Sequence, residues 1–174
     1  MFHRVLIAVD SSSSSSAVLK CADTLYLLGT RECVLAQCFM IREHVAFPDE
    51  IRNHIVSELD KKKDILVKSG INTTVTAEPG LPGSQIPKIA AERDCSLIVA
   101  GSHGHNLASE MLLGGTAAEI IHRAMKPVLI IRVKDNEQTN KAEYVEKGQN
   151  MIKHILYAVD FSDCSARAFD YVRR

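Results

Sequence analysis

Length and charge set the first limits on this protein. The chain has 174 residues, which favours one domain of ordinary size with a remainder, because domains cluster near about 100 to 150 residues. Lys and Arg together number 21, as do Asp and Glu, so a balanced charge gives no attraction for DNA or RNA. No apolar run approaches the roughly 20 residues of a membrane-spanning helix, and the first residues lack a signal-peptide pattern. We therefore expect a cytoplasmic protein that binds neither nucleic acid nor membrane.

Cysteine usage points to the same compartment. The five cysteines are scattered without a C-x-x-C pair: Cys21, Cys33, Cys38, Cys95 and Cys164. An odd number of cysteines in apolar segments favours reduced core thiols over a disulfide framework or a zinc site.

Apolar runs and helical periodicity alternate along most of the chain. Five apolar or β-branched runs predict strands: Val5 to Val9, Cys33 to Phe39, Ile71 to Ala77, Ser96 to Ala100 and Val128 to Ile131. Four segments with helical spacing lie between them: Val18 to Leu28, Asp49 to Ser69, Ile86 to Ala90 and Ala117 to Ala124. This alternation predicts a doubly wound α/β domain, a five-stranded parallel sheet with helices on both faces, ending near Val133.

The rest of the chain begins to repeat its start. Residues 134–150 are polar and charged and are predicted to be a linker. Residues 151–162 then resemble residues 1–12 at an offset of 150, including an identical Ala-Val-Asp. We expect a domain at 1–133, a polar linker at 134–150, and at 151–174 the first strand and partial helix of a truncated second domain. Such a segment is expected to be loosely held or to pair with an exposed sheet edge.

Two glycine clusters give the strongest chemical signal. Gly101-Ser102-His103-Gly104 follows the fourth predicted strand, and Gly114-Gly115-Thr116 opens the last predicted helix. Ligands of doubly wound sheets bind at the carboxyl ends of the strands, where glycines and a helix N-terminus suit a phosphate. The alternative is that these glycines form only a tight turn and a helix cap.

Other nucleotide and metal motifs are missing from the sequence. Neither the P-loop pattern nor a G-x-G-x-x-G after the first strand is present. His103 and His105 flank Gly104 and are candidate donors to a phosphate, but without a partner carboxylate they do not predict a metal site.

With these motifs the chain resembles the universal stress protein family. Its domains combine an Ala-Val-Asp end of the first strand with the phosphate motif G-x2-G-x9-G-[ST]. Gly101, Gly104 and Gly114 match that spacing. The chain departs at Gly115, where the family prefers Ser or Thr, and Thr116 follows one residue late.

The resemblance implies an ATP-binding fold of the adenine nucleotide α-hydrolase-like type, with strand order 3-2-1-4-5. It places the following residues at the adenosine: Ala8, Val9, Asp10, Gln37 and Cys38. It places these residues at the phosphates: Gly101, Ser102, His103, Gly104, Gly114, Gly115 and Thr116, with Ala100 at the floor. Ser11 and the serines that follow it are expected to supply caps and loop donors. Any magnesium is expected to be held mainly by phosphates and water.

The carboxylate of Asp10 has two interpretations from its position alone. At the end of a strand it can accept hydrogen bonds from ribose hydroxyls, or it can cap the first helix. Both interpretations remain open at this point.

The sequence thus predicts a nucleotide-dependent switch of the stress response, with at most slow ATP hydrolysis and no catalytic residues. The alternative is a nucleotide-free interaction module of the same fold. Members of the family commonly form homodimers through the fifth strand, here Val128 to Val133, and an exposed sheet edge gives the physical reason.

Overall fold

A five-stranded parallel sheet forms the centre of the molecule. The computed structural model describes residues 2–40, 48–102, 113–136, 141–144 and 154–173. The strands of the sheet are β1 (Arg4–Val9), β2 (Glu32–Phe39), β3 (Asn72–Pro79), β4 (Leu97–Gly101) and β5 (Val128–Ile131). The helices are α1 (Ser13–Leu19), α2 (Ala22–Leu27), α3 (Pro48–Lys68), α4 (Pro82–Glu92), α5 (Gly115–Arg123) and α6 (Asp163–Val172). The strand order is β3-β2-β1-β4-β5, which confirms the predicted order and the α/β class.

The central strand β1 is buried on both faces, as its continuous apolar run predicts. Val5 pairs with Cys33 of β2 on one side and with Leu97 of β4 on the other. Side chains of a strand point alternately to the two faces of the sheet. Ile7 therefore belongs to the core beneath α1, α2 and α3, whereas Leu6 belongs to the core beneath α4 and α5.

The first predicted helix is wrong in its extent. The segment Val18 to Leu28 forms parts of two helices, because the chain turns at Lys20, whose N–H donates to the carbonyl of Ala17 at 3.2 Å. The first of these helices, α1, starts inside the serine block. Gly29 ends α2 with a φ of 92°, a left-handed conformation that glycine adopts without strain.

The edge strand β5 has the bounds predicted for the fifth strand, Val128–Ile131, and is shorter than the dimer edge Val128 to Val133 that the resemblance implied. It ends at Ile131, and Val133 instead begins β6 (Val133–Asn136), which pairs antiparallel with β7 (Lys141–Tyr144). The segment predicted to be a polar linker therefore contains a two-stranded hairpin. The backbone of β7 lies beside α1.

The segment predicted to begin a second domain forms the helix α6, but no strand is present over residues 154–162. A strand needs neighbours in a sheet to satisfy its backbone and bury its side chains. Leu156 is 96% exposed, whereas Leu6 at the same position of the first copy is 0% exposed between β2 and β4. The ring of Tyr171 in α6 stacks on the ring of Phe2, with 6.1 Å between the centroids. Among the helices of the described part of the chain, none is both long and apolar enough to cross a membrane.

Candidate functional site

A cleft of about 510 Å³ opens at the carboxyl ends of β1 and β4, beside the start of α5. The strand order reverses between these two strands, and ligands of open α/β sheets bind at such a point. The cleft is lined by Ala8, Val9, Asp10, Ser15, Val18, Cys38, Met40, Pro82, Ile86, Ala100, Gly101, Ser102, Gly114, Gly115, Thr116, Ala117 and Ile120.

At one end of the cleft, a backbone hydrogen bond joins the two glycine clusters. The N–H of Gly114 donates to the carbonyl of Ser102 at 2.7 Å, and the N–H of Ser102 donates to the carbonyl of Ile131 at 2.8 Å. The end of β4 and the start of α5 are thereby held side by side. Gly114 is the N-cap of α5 and has no side chain with which to cap it. The first N–H groups of a helix lack partners within the helix and form its positive end, so this end of the cleft suits an anion.

The first residue of α5, Gly115, is exposed at the cleft wall. Among the described residues, no heavy atom lies within 4 Å of a Cβ placed on Gly115. The described part of the chain therefore leaves room for a ligand group beside the helix start.

A tight turn at the end of β1 forms the opposite wall. The Asp10 Oδ1 atom accepts from the N–H of Ser12 at 3.0 Å, from the Ser12 hydroxyl, and from the Ser15 hydroxyl at 2.6 Å. The N–H of Asp10 in turn donates to Ser15 Oγ at 2.6 Å. Ser12 is the N-cap residue of α1, so Asp10 supports the helix start through the turn rather than as the cap itself.

Two side chains that do not line the cleft donate hydrogen bonds to this turn. Lys62 of α3 donates from Nζ to the carbonyl oxygen of Asp10 at 3.0 Å. Gln37 of β2 donates from Nε2 to Ser11 Oγ at 3.1 Å. Neither Lys62 nor Gln37 lines the cleft.

The third part of the cleft wall is apolar. Met40 follows β2, and Pro82 and Ile86 come from the first turns of α4. Cys38 lies among them, half-buried, and burial together with the nearby Glu78 carboxylate raises the pKa of its thiol to about 11. This wall suits a flat, largely apolar group such as a nucleobase.

Most of the residues singled out in the sequence line this cleft. They are Ala8, Val9, Asp10, Cys38, Ala100, Gly101, Ser102, Gly114, Gly115 and Thr116. Gln37 and Ser11 do not line it, since they bond to each other on the far side of the turn. His103 and Gly104 lie outside the described residues.

Sequence reasoning missed the side chains that complete the cleft. Ser15 stood in a run of identical serines with nothing to distinguish it, although its spacing from Asp10 is that of a turn partner. Met40 and Val18 are apolar residues of a kind that the sequence assigns to the core. Over the described residues, no group of three His, Cys, Asp or Glu side chains is placed to hold a metal ion.

Comparison with known proteins identifies the family. Residues 1–132 match the universal stress protein family. The chain belongs to this family. Universal stress protein YxiE of Bacillus subtilis is 30% identical over 150 residues, which are 76% of this chain and 100% of that protein. The solved structure of MJ0577 from Methanocaldococcus jannaschii superposes with a TM-score of 0.66 and 28% identity, over 78% of this chain and 99% of that chain.

Some solved universal stress proteins of this fold hold nucleotides. One is a complex with cAMP, with a TM-score of 0.59 and 22% identity over 75% of this chain and 97% of that chain. Another, from Archaeoglobus fulgidus, is a complex with dAMP, with a TM-score of 0.55 and 21% identity over 75% of this chain and 98% of that chain. At these identities the likeness to this chain is one of fold.

Proposed function

We propose that the cleft binds ATP and that the protein acts as a nucleotide-dependent switch in the stress response. One observation supports this more than any other: the Gly114 to Ser102 hydrogen bond sets the uncapped start of α5 against the end of β4, facing the open space at Gly115. A ligand with a negatively charged group at one end and a flat apolar group at the other fits the charge and the walls of this cleft.

The phosphates would lie at the glycine end. Backbone N–H groups at the start of α5 would bind their oxygens, and the Thr116 hydroxyl at the cleft wall would add a donor. The described cleft residues offer a magnesium ion no cluster of carboxylates. A magnesium ion bound with ATP would therefore be held by phosphate oxygens and water, in keeping with its preferences.

The sugar and the base would occupy the other two walls. Asp10 and Ser15 present oxygen atoms at the end of β1, where ribose hydroxyls would find acceptors. The base would lie between Cys38, Met40 and Pro82. In this arrangement the phosphates, the sugar and the base of ATP each face a part of the cleft wall of matching polarity.

The same residues favour holding ATP over cleaving it. Rapid phosphoryl transfer needs a cation at the γ-phosphate and a group that orients water. The described residues that line the cleft include no lysine, arginine or histidine. We therefore expect slow hydrolysis at most, which suits a switch whose bound state persists.

A pair of valine variants tests the site. Gly114 has an extended backbone with φ of −74° and ψ of 157°, which valine adopts without strain. Gly114→Val should abolish ATP binding in calorimetric titration by placing a branched side chain at the phosphates. Ala118→Val, one turn further along α5 and outside the cleft, is the control and should bind ATP like the wild type. Equal ATP affinity of the Gly114→Val and wild-type proteins would refute the site.

A nucleotide-free interaction module is the second candidate function. The strand β5 is at the edge of the sheet and has a neighbour only on the β4 side among the described strands. A second copy would pair with this edge to form a homodimer. Sedimentation equilibrium tests the dimer, and a dimer whose thermal stability does not respond to ATP would favour this function over the switch.

We also propose that residues 151–174 begin a second domain of the same kind. The support is structural as well as sequential, since Asp160 Oδ1 accepts from the N–H of Ser162 at 2.9 Å and from its hydroxyl at 2.6 Å. This repeats the arrangement of Asp10 with Ser12, 150 positions earlier.

Free cysteines, three of them buried, suit the reducing cytoplasm as the location of the protein.

A further inference from the structure

Long-range hydrogen bonds from Lys62 and Gln37 join the turn that begins at Asp10 to the rest of the domain. We propose that Lys62 and Gln37 are positioning residues, which act from behind the turn to set Asp10 and Ser15 against the sugar of the bound nucleotide. This inference rests on the proposed function, because it assumes that the cleft binds a nucleotide.

Several bonds to the Asp10 carboxylate and N–H come from within the turn itself. The carboxylate and the N–H bond to Ser12 and Ser15, which lie two and five residues along the chain. Local bonds of this kind fix the shape of a turn but not its place relative to the sheet. Its place is fixed by bonds from elements that are distant in sequence.

Lys62 supplies the first of these bonds from an unusual position. In α3 the buried side chains follow a helical stripe, Ile55, Leu59 and Leu66. Lys62 falls on the same stripe, three residues after Leu59 and four before Leu66. A lysine there packs its stem along the apolar face and brings its ammonium group to the Asp10 carbonyl at 3.0 Å.

The neighbouring lysines, Lys61 and Lys63, pair with carboxylates of their own helix. The ammonium of Lys61 lies 2.5 Å from a Glu58 carboxylate oxygen, and that of Lys63 lies 3.9 Å from Asp60, both within α3. Of these three lysines, only Lys62 bonds to the turn. Lys63 is therefore a matched control for the loss of one positive charge from the same helix.

Gln37 supplies the second bond. Strand alternation places Cys38 toward the cleft and Gln37 toward the opposite face of β2. The Gln37 side chain is 7% exposed and donates to Ser11 Oγ at 3.1 Å. It thus reaches the turn from the core side, at the residue next to Asp10.

Loss of the hydrogen bond from Lys62 or from Gln37 allows the turn to shift relative to the sheet, while the bonds within the turn persist. The affected part of the ligand is the part that faces Asp10 and Ser15, which is the sugar. The phosphates contact the start of α5, on the other side of the cleft, and keep their bonds. We therefore expect these residues to govern how strongly the site distinguishes a nucleotide with ribose hydroxyls from one without them.

The test measures affinities for ATP and for 2′,3′-dideoxy-ATP by calorimetry with the full chain. The wild type should prefer ATP. Lys62→Met should lose about tenfold in ATP affinity, the size of one lost hydrogen bond between a ribose hydroxyl and the charged Asp10 carboxylate, with little change for the dideoxy compound. Lys62→Arg should restore the preference, because arginine keeps a charged donor, and Lys63→Met should behave like the wild type. Gln37→Met should reduce the preference in the same direction.

The outcomes separate this inference from the function on which it rests. If the wild type binds no ATP, both the positioning role and the proposed nucleotide site are refuted. If the wild type prefers ATP and the Lys62→Met and Gln37→Met proteins keep the full preference, the positioning role is wrong and the nucleotide site stands. Equal losses for both nucleotides would also overturn the positioning role, since they indicate a general change of the cleft. Circular dichroism checks folding, and if Lys62→Met does not fold, Gln37→Met decides the question.

Discussion

The N–H of Gly114 donates to the carbonyl of Ser102 at 2.7 Å, so the residue before α5 is fixed to the residue after β4. The start of α5 is thereby placed at the carboxyl edge of the sheet, where its N–H groups meet the open space at Gly115. The proposed anion site would therefore be formed mainly by backbone N–H groups.

Serine at position 115 should strengthen the site. The Cβ of a Gly115→Ser variant meets no atom within 4 Å, and its hydroxyl would add a donor at the helix start. We expect ATP to bind about three- to tenfold more tightly, the size of one added hydrogen bond. Ala118→Ser, on the exposed side of α5, is the control. Weaker binding by Gly115→Ser in calorimetric titration would show that the phosphates need the space that glycine leaves.

Asp10 and Asp160 make the same turn, but only Asp10 lines the cleft. Asp10→Ala should both lower the stability of the domain and weaken ATP binding, because it removes the turn and a polar group of the cleft wall. Asp160→Ala should loosen the start of α6 and leave ATP affinity unchanged. Chemical denaturation and calorimetry distinguish the two effects. An ATP affinity that is insensitive to Asp10→Ala would mean that this carboxylate serves the turn alone.

The turn at Asp160 should also respond to acid. Hydrogen bonds from the Ser162 hydroxyl and N–H lower the pKa of the Asp160 carboxyl below its ordinary value. A group whose pKa is lowered by folding stabilises the folded form above its unfolded pKa, and this contribution is lost as the pH falls through the lowered value. The protection factors of the first amides of α6, which are exchange rates corrected for the intrinsic pH dependence, should therefore fall below about pH 4, the ordinary value for aspartate. The protection factors in Asp160→Asn should lack this fall.

Cys38 provides a chemical probe of the cleft. Burial raises the pKa of its thiol to about 11, so its alkylation by iodoacetamide should be slow at neutral pH and should continue to rise well above pH 9, because the thiolate is the reactive form. Bound ATP should slow the reaction further by covering the cleft wall. Cys164 is exposed and serves as the internal control, read by mass spectrometry of each peptide. Equal labelling of Cys38 with and without saturating ATP would place the nucleotide elsewhere.

Leu6 and Leu156 occupy the same position of the two copies and should differ in their contribution to stability. Leu6 is fully buried in the central strand, so Leu6→Ala should lower the free energy of unfolding by about 2 to 5 kcal/mol. Leu156 is almost fully exposed, and Leu156→Ala should change it by less than about 0.5 kcal/mol. Urea denaturation measures both. A large loss from Leu156→Ala would mean that residues 154–162 pack against a partner in solution.

The sequence was sufficient for the sheet because each strand is specified locally. A run such as Val5 to Val9 can be stable only between two other strands, and the helical segments between the runs dictate parallel pairing. The order of the strands came from the family resemblance and was confirmed. The helix break at Lys20 was not predictable from apolar spacing, since Val18, Cys21 and Leu25 fit one continuous helix as well as they fit two.

The glycines that line the cleft could be predicted from the sequence, whereas several of its side chains could not. Glycine spacing marks Gly101 and Gly114 directly, because few residue types permit a close approach to phosphate. The family resemblance placed Gln37 at the adenosine, yet its side chain bonds to Ser11 and does not line the cleft. Lys62 gave no signal at all within a run of three lysines until the helical stripe of α3 was known.

The most direct test is the thermal unfolding of nucleotide-free protein across a titration with ATP and magnesium. A ligand that binds only the folded state stabilises it by an amount that rises with the logarithm of its concentration, about 2.7 kcal/mol at 100 times the dissociation constant. We predict that the melting temperature rises in this way with ATP and that the Gly114→Val protein shows no rise. A wild-type melting temperature that stays constant up to millimolar ATP would contradict the nucleotide site.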